Sequence, residues 1–459
     1  MKAIVLVLNR ARLDAIGAYG AEDVATPHLD RLAVEGVVFD QHFAERPTEQ
    51  GARRAWELGC VSTPGGLRSP VMLADSLWRS HVRATLVGGE DGVSRRTGFA
   101  HGWETMLWIR RARLPAMNQP TLVDGVLQTA VDWLEVHGTD ENWCLWVEVD
   151  ALRPPWDQAE FADPELGNGP TDAGAPEESA EGAPEENDET ADEDEAEDEE
   201  PSAGPAAAGD DAEVPEPNFD CRSALVDPED EEDARRLRAW RLAYGGIMTY
   251  VDDLIGQFVA LLKELKLYDE TLLIVTTDVG WPLGEHGAVG DAGVGLHEEL
   301  IHLPLIVRLP GGVQAGRRVQ QLTQPVDLYA TLSEHFGLIW SPAMGQGQSL
   351  LPLARGVSQR MREYVCSRIR RQGLEEWSIR THSWFLAVPI TPTEEDEPVR
   401  PRRLHLKPDD RWEVQNLADQ HPVVAEHLEL TLRRYMATTW LDPLVPAPPL
   451  RDDVLRIDR

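Results

Sequence analysis

The sequence predicts an α/β protein: a doubly wound, mostly parallel sheet flanked by helices, followed by a smaller C-terminal α+β subdomain. Two observations carry the first part. Five short runs, Ala3 to Leu8, Val82 to Val87, Cys144 to Val149, Leu272 to Thr277 and Leu305 to Leu309, are rich in Val, Ile and Leu and do not alternate with polar residues. That is the pattern of strands covered on both faces. Helical stretches lie between these runs, and strand–helix alternation builds a sheet with helices on both sides. A third observation carries the second part: after about residue 355 the chain turns to strand-like pieces and one last helix.

Taken in order, Ala3 to Leu8 reads as a buried strand that starts the fold. Its six apolar residues are too few for a signal-peptide core or for a membrane span of roughly 20 residues, so cytoplasmic residence is expected. Residues 122 to 137 read as a helix. A longer one is expected from about Asp233 to Leu267, where Ile247, Val251, Leu254, Phe258, Leu261 and Leu265 recur at steps of four and three and make one apolar face. No later segment reads as a membrane span. Beyond residue 355, Trp377 to Val388 and Arg403 to Leu406 read as strands and Pro422 to Met436 as a helix. The expected division is residues 1–355 and 356–459.

Residues about 163 to 219 interrupt the first part. They are rich in Glu, Asp, Ala, Pro and Gly and nearly devoid of aliphatic and aromatic residues. Such a segment cannot bury enough apolar surface to offset its ordering entropy, so a disordered acidic insertion is predicted. It dominates the charge. The chain carries −37, and residues 171 to 217 hold 20 acidic and no basic residues, which leaves −17 on the other 412. A nucleic-acid partner is not expected, since phosphate binding needs a basic surface. No membrane partner is expected either. The insertion could dock a basic partner, or it could be a solvating linker. Four widely spaced cysteines, Cys60, Cys144, Cys221 and Cys366, make no metal or redox motif. Cys144, inside a core strand, is expected to be inert.

Ligands of an open parallel sheet sit beyond the carboxyl ends of its strands. That directs attention to Asn9-Arg10 after the first strand and to Asp278 after Leu272 to Thr277. The surrounding motifs are Asp14-Ala15-Ile16-Gly17-Ala18-Tyr19-Gly20, Thr26-Pro27-His28-Leu29-Asp30, Pro154-Pro155-Trp156-Asp157, Thr249-Tyr250-Val251-Asp252, Thr277-Asp278-Val279-Gly280, Gly284-Glu285-His286-Gly287, Pro304-Leu305-Ile306-Val307 and Asn416-Leu417-Ala418-Asp419. In this order they resemble the sulfatase family of the alkaline-phosphatase-like superfamily. The resemblance covers nearly the whole chain apart from the acidic insertion.

The resemblance implies a fold and a chemistry. The family holds a divalent cation, usually calcium, on carboxylates at the strand ends. A cysteine or serine becomes formylglycine, and lysines and histidines surround the sulfate. Carried over position by position, the metal-ligand positions are Asn9, Arg10, Asp278 and Val279. The nucleophile position is Glu49, with Arg53 retained from that motif. Substrate-pocket positions fall on Gly89, Asp91, Arg153, His286 and Asp291. Glutamate cannot become formylglycine. The chain has only four lysines, Lys2, Lys263, Lys266 and Lys407, and none falls on a site position. The reading is therefore a catalytically degenerate sulfatase-like protein with a binding or regulatory role, needing no cofactor. Two alternatives stand beside it: an active sulfuric or phosphoric ester hydrolase with a rebuilt site, calcium and Thr48 as nucleophile, and a function residing in the acidic insertion. The Arg10 guanidinium is expected to replace the metal by pairing with Asp278 or Glu49, and Arg53 to pair with Glu49. His286 is expected to order its own loop. Asp14 and Asp30 are expected to brace helix starts, and Asp252 and Asp253 to face solvent.

Overall fold

The structure, a computed structural model, describes residues 1–61, 71–110, 121–154, 223–292, 295–339, 345–358, 361–371, 374–390, 400–442 and 445–451. The acidic insertion expected at 163–219 lies outside the described residues.

Strands of the first part are β1 (Lys2–Leu8), β2 (Val37–Phe39), β3 (Arg83–Gly89), β4 (Thr105–Ile109), β5 (Trp143–Val149), β6 (Ser223–Leu225), β7 (Thr271–Thr276), β8 (Ala288–Gly290), β9 (Leu305–Arg308) and β10 (Arg317–Val319). Eight of them form one sheet in the order β10-β2-β9-β7-β1-β5-β3-β4, and β6 pairs with β8. The five predicted strands all appear, with β1 at the centre between β5 and β7. β9 runs antiparallel to both its neighbours, β7 and β2, so the sheet is mostly rather than wholly parallel. Sequence reading missed β2, β4, β6, β8 and β10. Four are three residues long, too short to leave an apolar run, and β4 is only partly buried at the sheet edge.

Successive side chains of β1 point to opposite faces, as the two-residue period of a strand requires. Ile4, Leu6 and Leu8 pack against the helices Leu122–His137 and Glu231–Glu264. Ala3, Val5 and Val7 join Ala52 and Trp56 of the helix Glu49–Leu58 and Leu328, Tyr329 and Leu332 of the helix Asp327–Phe336. On that second face Trp146 meets Trp56 and Phe99 with ring centres 5.2 Å from each.

The 34-residue helix Glu231–Glu264 is long and apolar enough to cross a membrane by length and composition, contrary to the expectation that no segment is. Its apolar face lies against the sheet, and Asp252 explains its placement further. Asp252 is fully buried, not solvent-facing as expected. Its carboxylate accepts the His28 and Leu29 N–H groups at 2.9 and 2.7 Å, capping the helix Pro27–Glu35 from a neighbouring element. Asp253 does remain exposed. Asp30 accepts the Ala18 N–H at 2.6 Å, and Asp14 pairs with Arg12.

The C-terminal part is an antiparallel sheet of β11 (Val365–Arg371), β12 (Leu374–Arg380), β13 (Trp384–Pro389) and β14 (Arg403–Leu406), in sequential order. The stretch Trp377 to Val388 thus belongs to two strands joined by a turn, not one. The helix Pro422–Ala437 covers the sheet through Ala425, Leu428 and Leu432. Phe43, Val279, Leu300 and Ile301 of the first part pack with Val365, Ile369 and Phe385, and so join the two sheets.

Candidate functional site

At the carboxyl ends of β1, β5 and β7 the apolar strands give way to charge. β5 itself carries an acid that sequence reading overlooked, Glu148, one residue before the strand ends. The signal was there: a lone carboxylate in an otherwise apolar run. An unpaired buried charge is costly, so such a residue implies a buried partner.

That partner is Arg53, delivered by the helix Glu49–Leu58. Its guanidinium donates to Asp278 Oδ2 at 2.5 Å, Asn9 Oδ1 at 2.6 Å and Glu148 Oε1 at 3.1 Å. All are almost sealed, with side-chain exposures of 2% for Arg53, 0% for Asp278 and 4% for Glu148. Ser94 Oγ completes the group by donating to Glu148 Oε1 at 2.5 Å. Burial alone would push the Asp278 carboxyl up. The Arg53 and Arg10 charges and the hydrogen bonds outweigh that and hold it below the usual carboxylate range. Arg53 reaches Glu49 only through the backbone carbonyl, at 3.3 Å, so the expected Arg53–Glu49 side-chain pair is replaced by a pair with Asp278 and Glu148.

Arg10 does pair with Glu49, at 2.8 Å, and its guanidinium lies 4.3 Å from the centre of the Trp281 ring. With Asp278 it uses its backbone instead, the N–H donating to Oδ1 at 3.0 Å. The guanidinium on Asp278 is therefore that of Arg53, not Arg10. Arg10 adopts φ 66°, a left-handed conformation uncommon outside glycine. The Asp278 and Tyr244 hydrogen bonds to its N–H and carbonyl hold it there.

Glu49 is the hub of a second, outer cluster. Its carboxylate accepts from Arg10 and Arg153 and lies 3.5 Å from Arg96. Asp291 joins through Arg10 at 3.3 Å and Arg371 at 2.9 Å. A cavity of about 600 Å³ opens over this cluster, lined by Arg10, Thr48, Glu49, Arg96, Asp291 and Arg371 among others. Thr48 is the N-cap of its helix, its hydroxyl accepting the Gly51 N–H at 2.9 Å. Gly51 is needed at this turn, because a Cβ would stand 2.4 Å from the Arg46 carbonyl oxygen.

The fold thus gathers Asn9, Arg10, Glu49, Arg53, Arg153, Asp278 and Asp291. Val279 lines the cavity. Gly89 is buried at the end of β3, and Asp91 is exposed, its carbonyl accepting from Arg96 at 3.2 Å. His286 lies elsewhere, 2.8 Å from Glu299 and 3.2 Å from the Trp412 carbonyl, so it ties its loop to other segments. Arg96, Arg371 and Asp150 were not foreseen. Asp150, just past β5, is 3.7 Å from Arg153, and burial pushes its carboxyl up to about 6.

The family model described as Sulfatase matches residues 2–338. The chain belongs to the sulfatase family. Curated relatives align over parts of it. The multifunctional alkaline phosphatase superfamily protein PehA of Trinickia caryophylli is 35% identical over 129 residues, 28% of this chain and 24% of that one. Human (Homo sapiens) steryl-sulfatase is 30% identical over 129 residues, 26% and 22% of the two chains. The matched stretches therefore span about a quarter of either relative's length. Among solved structures, the phosphonate monoester hydrolase of Agrobacterium radiobacter superposes with a TM-score of 0.65 at 18% identity, covering 95% of both chains. A 2-O GAG sulfatase superposes with a TM-score of 0.65 at 18% identity, covering 95% of this chain and 92% of that one. At such identities these two establish the sulfatase-like fold of the family member and leave its chemistry to its own side chains.

Proposed function

We propose that this sulfatase-family protein does not hydrolyse esters and that its pocket serves binding or regulation. The observation that carries the reading is Arg53. Calcium takes six to eight oxygen ligands. Of the four metal-ligand positions inferred from the family, Arg10 and Val279 offer no side-chain oxygen. Asn9 Oδ1 and Asp278 Oδ2 already accept hydrogen bonds from the Arg53 guanidinium. A cation there would face a fixed positive charge in a buried site, so these residues do not fit the ion. Glu49, at the inferred nucleophile position, is neutralised by Arg10 and Arg153 and cannot yield an aldehyde hydrate.

One observation favours a rebuilt hydrolase as the second reading. Thr48 lines the open cavity together with Arg10 and Arg96, which would suit an anionic ester. A hydroxyl nucleophile needs a base or a metal, and Thr48 Oγ1 is occupied as a cap acceptor.

The test is turnover of aryl sulfate, aryl phosphate and aryl phosphonate by the purified protein, with calcium, manganese or zinc and with chelator. No rate above that of the Arg53→Ala and Asp278→Ala variants is the expected result. Metal-dependent turnover abolished by those substitutions and by Thr48→Val would replace this reading with the second one.

A further inference from the structure

We infer that His286, His297 and Glu413 form a binding site for a divalent transition-metal ion such as zinc, where the C-terminal segment meets the large sheet's loops. One donor atom from each residue lies within 4.8 Å of the others. The three come from separate places: His286 from the turn Gly284 to Gly287, His297 from the residue before the helix Glu298–Ile301, and Glu413 from the segment after β14. Only the tertiary fold brings them together.

The donor chemistry selects the ion class. Two imidazoles and one carboxylate suit zinc, cobalt or nickel, whereas calcium and magnesium prefer oxygen alone. The supporting contacts match those of a metal site. Glu299 Oε1 lies 2.8 Å from His286 Nδ1, the carboxylate–imidazole pairing that orients a metal-binding ring, and Nε2, now 3.2 Å from the Trp412 carbonyl, is the nitrogen that would exchange that carbonyl for the ion. The Glu413 side chain is fully buried; Oε1 faces Lys407 at 3.3 Å and Oε2 faces His297 Nδ1 at 2.7 Å. Glu413 holds φ 57°, a left-handed conformation uncommon for a non-glycine residue. A cavity of about 350 Å³, lined by both histidines, Glu299, Glu376, Arg371 and Arg403, gives an entry path and room for a water as fourth ligand.

Without the ion the cluster is closed by Arg403, whose Nη1 is 2.7 Å from His297 Nε2, and the two imidazoles stack with centres 3.7 Å apart. Binding requires the His297 ring to turn out of that stack and Arg403 to withdraw. Arg403 already has a second partner to hold it, Glu376 at 3.0 and 3.2 Å. None of the three ligands belongs to the Glu49 cluster, although Arg371 borders both cavities, and the proposal stands whether or not the protein hydrolyses esters.

The test is titration of the chelator-treated full-length protein with zinc by calorimetry, with cobalt by visible absorption, and with calcium as comparison. One zinc per chain, a four-coordinate cobalt spectrum and no calcium binding at this site are expected. His297→Ala and Glu413→Gln should each weaken zinc binding about 100-fold or more, and Glu299→Gln about 10- to 100-fold. His286→Gln, at a partly exposed ring, gives a variant whose folding is least at risk and should also lose binding. Absence of saturable zinc binding by the wild-type chain would overturn the proposal without any variant. So would zinc binding that His286→Gln leaves unchanged.

Discussion

Two clusters of charge sit at the ends of the same strands, and they differ in what surrounds them. The inner one, Arg53 with Asp278, Glu148 and Asn9, is sealed between the sheet and the helix Glu49–Leu58. The outer one, Glu49 with Arg10, Arg153, Arg96 and Asp291, opens to a cavity, and Arg96 and Asp291 are nearly half exposed. Both contain arginines on carboxylates, yet they must respond differently. A sealed pair has no water to replace a lost partner, whereas an open pair does.

The largest effect should come from breaking the inner cluster. Arg53→Ala strands two buried carboxylates and is expected to cost about 3–5 kcal/mol, seen as a lower denaturant midpoint. A loss as small as that of a surface substitution would mean that water reaches this cluster and that the contrast fails.

Asp150 lies between the two and sharpens the contrast through pH. Its folded pKa, about 6, is above the ordinary 3.8. The native state therefore binds more protons than the unfolded state between these values, and stability falls as pH rises from about 4 to 6. Asp150→Asn should be more stable than wild type above pH 6, by about 1–3 kcal/mol, with the gap closing toward pH 4. A variant less stable than wild type at pH 8 would instead make the Arg153 ion pair the stronger influence.

Thr48→Ala removes the helix cap at the cavity edge and should cost about 1 kcal/mol in thermal or denaturant unfolding. An unchanged midpoint would show the helix start to be held by Glu49's pairing alone. Arg96→Ala, at the rim, should change stability by less than about 1 kcal/mol, and what change there is should vanish in high salt. A salt-independent loss would show the outer cluster to be as closed as the inner.

Much of the fold was legible because core strands leave continuous apolar runs and long helices leave a 3.6-residue period. Ala3 to Leu8, Leu272 to Thr277 and the helix at 122–137 all declared themselves in this way. β2 and β10, three residues each, exist through pairing with distant neighbours and have no comparable local signal. The site was legible as a set of positions, because strand ends are where an α/β sheet exposes its chemistry. Its pairings were not. Sequence spacing could not say that Arg53 would reach Asp278, 225 residues away, while Arg10 turned to Glu49. Nor could it show that Asp252, on a long amphipathic helix, faces inward to cap another helix.

The sequence by itself determined the sulfatase-like framework and the order of its core strands along the chain. Those follow from residue chemistry and short-range periodicity. Only the tertiary structure decided which arginine meets which carboxylate, which cluster is sealed, and that His286, His297 and Glu413 come together. Such contacts join residues far apart in the chain, and charge pairing is set by burial and distance, which sequence proximity does not encode.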